Sequence, residues 1–321
     1  MPKIVFIIPY FGKFNNYFQL FLNSCKYNPN IDWLIFTDDK ENYQYPKNVK
    51  VRYITFNDLK IIIQKKFDFS VILERPYKLC DLRPMYGYIF EEDIKEYDFW
   101  GHCDTDMIFG DIKHFFSKYD LSKYDKLFFL GHCTLYKNTV ENNKIFMRKL
   151  DNKLRYKEVL QSPKNHSFDE EFKESINNIY LSLGKSLLLE ELEANIYTKS
   201  SNFNCTRYNL EKDYYYIDKK KNSFFIFERG KIFQYYLENK KLKKEEFLYI
   251  HMQSRKMEIK IPLNKEYYKI IPNAFEEMEY EEVNIENILK IKKKNFNLHY
   301  FKLRTKNLIV KIKQKFGIIS R

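Results

Sequence analysis

Two carboxylates, Asp104 and Asp106, stand one residue apart at the end of the apolar run Phe99-Trp100-Gly101-His102-Cys103. Open α/β sheets place their ligands beyond the carboxyl ends of strands. A carboxylate pair there can hold Mg2+ or Mn2+, ions bound by one or two carboxylates plus substrate phosphates. The motif is short, and a polar strand-to-loop turn is its ordinary alternative. A second donor set follows Leu248-Tyr249-Ile250, in the segment His251-Met252-Gln253-Ser254-Arg255-Lys256. A histidine ligates divalent ions, and Arg255 and Lys256 can neutralise phosphate charge. With Asp104 and Asp106, His251 completes a ligand set. Thr37-Asp38-Asp39 ends another apolar run and offers acceptors to a ribose hydroxyl or a base N–H. A helix cap or turn is the equal alternative. In Lys78-Leu79-Cys80-Asp81-Leu82-Arg83, helical spacing puts Lys78 and Asp81 on one face and turns Arg83 elsewhere. That pair is expected to fix a diphosphate or sugar, with a surface ion pair as the alternative.

These residues need a scaffold, and the pattern around them alternates strand and helix. Residues 3–9, 33–36, 49–53, 99–103 and 127–130 read as strands. Helical spacing covers 14–27, a stretch after the cap Asn57-Asp58, about 78–92, and a stretch from Ile112. Strands alternating with helices predict an α/β domain with a mostly parallel sheet. Residues 153–192 read as helical, 194–236 as Tyr/Phe-rich short strands and loops, and 248–250 as a last strand. Only eight glycines occur, and Gly101 and Gly110 flank the carboxylate pair. Gly12 and Gly131 follow other strands, and Gly12 can admit a ligand close to the backbone. Neither G-x-x-x-x-G-K-[ST] nor G-x-G-x-x-G is present, which removes the main support for P-loop and dinucleotide readings.

Taken together, these motifs resemble bacterial nucleotide-sugar glycosyltransferases of the GT-A fold. More narrowly they resemble an uncharacterised bacterial family found among capsule and lipopolysaccharide glycosyltransferases. The matching pieces are Ile8-Pro9-Tyr10-Phe11-Gly12, Phe36-Thr37-Asp38-Asp39, Tyr77 to Pro84, Gly101 to Asp106, and Ile250 to Lys256. The resemblance implies a GT-A-like Rossmann-type sheet flanked by helices and a hexosyltransferase-type activity. It implies Mn2+ or Mg2+ at Asp104 and Asp106, completed by His251 and Lys256, and a UDP- or GDP-sugar donor. The donor side takes Pro9, Tyr10, Gly12, Thr37, Asp38, Asp39, Lys78, Asp81, Arg83, Arg255 and Lys256. Many such enzymes carry a glycine between that histidine and lysine, where Gln253 and Ser254 stand here. An inverting enzyme needs a base near the acceptor hydroxyl. The candidates are Asp169 and Glu170, although acids after Ser167 also mark an ordinary helix start. Gly131 and His132 are expected on the acceptor side.

The composition sets limits on this reading. The chain has 321 residues, 44% hydrophobic and 18% aromatic, too apolar for disorder. Its net charge is +13, but residues 290–321 hold 11 Lys/Arg and no acid. The rest has 45 basic against 43 acidic residues, so the charge belongs to a tail. One domain is expected over 1–285, with a donor half to about 150 and an acceptor half beyond, then an extension over 286–321. In that extension Leu308, Ile309, Ile312, Phe316 and Ile319 share a roughly 100° arc. Arg304, Lys306, Lys311, Lys313 and Lys315 flank it. Such a basic amphipathic helix suits an anionic membrane surface and a glycan or lipid-linked acceptor. Packing on the catalytic domain is its alternative. No run of about 18 apolar residues occurs, and residues 1–9 read as a strand rather than a signal peptide. Five cysteines without a C-x-x-C read as free thiols. The expected location is the bacterial cytoplasm, at the inner face of the membrane. Two other classes fit less well: a metal-dependent nucleotidyltransferase, and a nucleic-acid-binding protein using the tail. No nucleic-acid partner is expected.

Overall fold

The computed structural model describes residues 1–197 and 203–293. Farther on it describes 305, 306, 308–310, 312, 313 and 315. The architecture is mixed α/β. The chain forms two compact units, residues 1–105 with 111–191, and residues 106–110 with 192–321. The division falls at Leu192, later than the expected 150, and the short stretch after Thr105 goes with the later unit.

The first unit is built on a seven-stranded sheet. Its parallel half holds β1 (Ile4–Tyr10), β2 (Ile31–Thr37), β3 (Val49–Tyr53) and β4 (Phe99–Cys103) in the order β3-β2-β1-β4. β1 is buried through Ile8, as a strand covered on both faces requires. It pairs in parallel with β2 and β4, Ile4 opposite Ile31 and Phe99. Strand order therefore reverses between β1 and β4, the switch point where α/β sheets leave room for ligands. α1 (Phe18–Lys26) and α2 (Phe56–Gln64) connect the early strands. α2 is capped by a reciprocal box between Thr55 and Asp58, so its N-cap lies two residues before the expected Asn57.

The helix expected over 78–92 is instead a 3-10 segment, Pro76–Met85, followed by one turn, α3 (Tyr86–Ile89). Pro84 has no N–H to give and its ring crowds the preceding turn. β5 (Met107–Phe109) leads out of this unit, and α4 (Ile112–Phe116) returns to it. The sheet then continues as β6 (Lys126–Leu127) and β7 (Cys133–Lys137), with β7 antiparallel to both β4 and β6. The strand expected through residue 130 stops early, where Phe128 takes a φ of 70°. Within 153–192 only α5 (Arg155–Leu160) and α6 (Ile176–Ser182) are helical, before β8 (Leu187–Leu188). The loop between those helices is tied down instead. The Asp81 carboxylate accepts N–H bonds from His166 and Phe168 at 3.0–3.1 Å.

The second unit is mostly antiparallel, a departure from the parallel sheet expected overall. β9 (Ala194–Asn195) is followed by the hairpin β10 (Cys205–Asn209) and β11 (Tyr214–Asp218). Next come β12 (Phe224–Glu228), β13 (Lys231–Glu238), β14 (Lys241–Phe247) and β15 (Tyr249–His251). β16 (Glu258–Lys260), β17 (Tyr267–Ile271) and β18 (Ala274–Glu277) complete a six-stranded sheet, ordered β14-β13-β12-β17-β18-β16. A short sheet β5-β15-β9 lies in the same unit. Ile288 and Ile291 of α7 (Ile288–Lys293) are buried with Phe224, Ile226 and Tyr235. α7 thus packs into the core past residue 285, where the extension was expected to begin. The described residues over 305–315 are helical, with Leu308, Ile309 and Ile312 exposed. Arg304, Lys311, Phe316 and Ile319 lie outside the described residues. Among those described, no helix is long and apolar enough to cross a membrane.

Candidate metal centre

β15 delivers His251 opposite Met107 of β5, so His251 comes beside the residue that follows Asp106. On its other side β15 runs parallel to β9, with His251 opposite Asn195. The chain then wraps Asp106. Met252 N–H donates to the Asp106 carbonyl at 2.9 Å, and Ser254 N–H donates to the Asp106 carboxylate. This wrap needs left-handed backbone at Gln253 and Ser254, with φ of 49° and 55°. Glycine adopts that region most freely, and here two residues with side chains take it.

His251 Nε2 lies 3.3 Å from Asp106 Oδ1, and its Nδ1 lies 3.3 Å from Asn195 Oδ1. Gln253 Nε2 donates to the same Asn195 oxygen at 2.7 Å. Asp104 is the residue before Thr105 and leaves β4, its N–H donating to the His132 carbonyl at 2.9 Å. Asp106 and His251 thus bring a carboxylate oxygen and an imidazole nitrogen to 3.3 Å within the second unit, and Asp104 stands two positions before Asp106 in the chain. Two carboxylates and an imidazole are the donors a divalent ion such as Mn2+ accepts.

In the first unit Arg83 organises the carboxylates. Its guanidinium pairs with Asp104 and, at 2.9 Å, with Asp169 Oδ2, and donates to the Gly131 carbonyl at 3.0 Å. Arg83, which the resemblance puts on the donor side, thus pairs with protein carboxylates. Asp169 is buried, and burial drives its carboxyl well above the ordinary range, against the pull of Arg83. Glu170 is half-buried and sits on Gly131, where an added Cβ would come within 2.9 Å of its carboxyl carbon. Of the two candidate bases, Glu170 is the less buried. Glu171, which the sequence did not single out, is 3% exposed and neither of its oxygens finds a hydrogen-bond partner. Burial and the Glu170 charge push it up to about 8. Lys126 is also wholly buried, donating to the Phe128 carbonyl, and burial lowers it to about 7.

The remaining expected donor residues sort by exposure. The Lys78–Asp81 pair forms at 2.8 Å, but both members are at most 1% exposed, and Lys78 also donates to the Lys164 carbonyl. The pair therefore holds the 164–168 loop and has no face for a diphosphate. Asp38 accepts from Gly12 N–H at 2.8 Å, and buried Asp39 accepts from Phe14 N–H at 3.0 Å. Thr37 Oγ1 accepts from Asp39 N–H at 3.1 Å. These groups shape the loop after β1, and Asp38 is the member left exposed. Gly12 supplies that loop with a φ of 92°. Pro9 and Tyr10 close β1, half-buried, with the Tyr10 ring stacked on Phe14 at 4.5 Å. Arg255 turns inward to the Tyr197 carbonyl and Asn273, whereas Lys256 is exposed. His132 is 7% exposed. The five cysteines are free.

A parallel-sheet switch point in the first unit and a carboxylate–histidine pair in the second mark a mixed α/β protein with a candidate metal centre. The chain belongs to the family described as "Family of unknown function (DUF6625)", which it matches over residues 6–279. No curated protein matches the sequence.

Proposed function

We propose that the chain is a metal-dependent glycosyltransferase of the GT-A type. In this reading it moves a hexosyl group from a UDP- or GDP-sugar to a glycan or lipid-linked acceptor, in bacterial capsule or lipopolysaccharide synthesis. The observation that carries the reading is the Asp106–His251 pair, 3.3 Å apart, with Asp104 two positions before Asp106 at the end of β4. A bound Mn2+ or Mg2+ would supply positive charge to the oxygens of a departing nucleoside diphosphate. The chain's own residues do the rest. Exposed Lys256 adds charge where the diphosphate forms, the electrostatic contribution that is usually largest. Exposed Asp38 offers an acceptor to a ribose hydroxyl, and the Tyr10 ring gives a flat edge beside it. Glu170 takes the acceptor proton if the configuration inverts. Arg83 keeps Asp104 and Asp169 in fixed orientation.

A location at the inner face of the cytoplasmic membrane rests on the tail. Each basic residue close to an anionic surface contributes about 1 kcal/mol. A thermal-shift screen with Mn2+ tests the function. Stabilisation by UDP- or GDP-sugars supports sugar transfer. Stabilisation by nucleoside triphosphates instead would indicate nucleotidyl transfer, and by oligonucleotides alone a binding protein.

A further inference from the structure

The environment of His251 has two sides. On one side its Nδ1 faces Asn195 Oδ1 at 3.3 Å, and an amide oxygen only accepts. The hydrogen of a neutral ring therefore belongs on Nδ1. That leaves the lone pair on Nε2, aimed at Asp106 Oδ1 at 3.3 Å. Two acceptors facing each other at that distance repel unless a proton or a metal cation stands between them. Histidines that bind metals commonly have their second ring nitrogen fixed in this way. Asn195 is itself fixed, because Gln253 Nε2 donates to the same oxygen at 2.7 Å and the residue is 3% exposed. The parallel pairing of β9 with β15 sets it directly opposite His251.

We propose that Asn195 is a positioning residue for the metal centre, holding His251 with its hydrogen on Nδ1 so that Nε2 is the ligand. This rests on the reading of Asp104, Asp106 and His251 as a metal site. Asn195 touches neither substrate nor ion; it acts through the imidazole. A carboxylate in its place would keep the acceptor, while an apolar side chain would remove it.

The test is calorimetric titration of the full chain with MnCl2, comparing wild type with Asn195→Asp, Asn195→Ala and Asn195→Leu. Circular dichroism and the melting temperature first confirm that each variant is folded. The alanine and leucine variants are expected to bind Mn2+ about 10- to 100-fold more weakly, the usual effect of losing such a partner. The aspartate variant is expected to recover most of that loss. Folded alanine or leucine variants that bind as tightly as wild type would overturn the proposal. So would an aspartate variant as weak as leucine, which would mean that shape rather than the acceptor matters. Should wild type itself bind no Mn2+, the metal-site reading falls first, and the role of Asn195 falls with it.

Discussion

Asp104 and Asp106 are one residue apart yet held by different means. Asp104 is oriented by a guanidinium that also grips Asp169, and Asp106 by a backbone N–H from Ser254. The carboxylates and the histidine are legible from residue type and place, since each ends an apolar strand. Their supports are not. Asn195 is 56 residues from His251, and Asp169 is 86 from Arg83. Such partners are set by strand register and loop path, which local spacing does not encode. The same holds for Lys78 and Asp81, whose mutual pairing was readable but whose burial was not. Glu171 yields a prediction at this scale. Folding raises it from 4.5 to about 8. Between those values the folded chain keeps a proton that the unfolded chain releases. Its stabilising contribution is therefore complete below about pH 4.5 and lost as pH rises to about 8. Glu171→Gln cannot titrate. Its melting temperature is expected to fall less than that of wild type across this window and to be the higher one above it. Parallel melting curves against pH would contradict the assignment.

At the scale of elements, the parallel half of the first sheet follows directly from its apolar runs, and β1 to β4 fall where alternation puts them. The helices were less readable. Periodicity over 78–92 and 153–192 is real, but Pro84 breaks the first stretch. In the second, the buried Asp81 carboxylate draws the amides of the 164–168 loop to itself. The turn after β15 is the instructive case. Glycine is missing from it, yet Gln253 and Ser254 still take left-handed backbone. The N–H bonds to Asp106 and the Gln253 bond to Asn195 offset the strain. Ser254 is exposed and contributes through its backbone N–H. Ser254→Gly is thus expected to relieve part of an αL cost of about 1–2 kcal/mol. A rise of roughly 2–4 °C in melting temperature would follow, with Mn2+ affinity kept. A drop in melting temperature would show that the turn is unstrained.

Over the whole molecule, the basic tail and the near-neutral remainder were visible in composition alone. The division into two units was not, because residues 106–110 leave the first unit to pair with strands about 140 positions later in the chain. Nor was the end of the core, since Ile288 and Ile291 sit beyond the boundary that charge suggests. A truncation meant to test membrane attachment must spare α7. Removing residues 295–321 is expected to shift the protein from membrane to soluble fractions at low salt, with an unchanged melting temperature. An unaltered distribution would assign the tail another task.

In the proposed function, Asp104 and Asp106 hold the ion on which sugar transfer depends. The direct measurement is release of nucleoside diphosphate from the UDP- or GDP-sugar that protects the wild type, at rising Mn2+, in wild type, Asp104→Asn and Asp106→Asn. The expected result is Mn2+-dependent release by wild type, removed by chelation, and at least about a hundredfold slower in either variant. Release by both variants at the wild-type rate, or wild-type release indifferent to chelation, would contradict it.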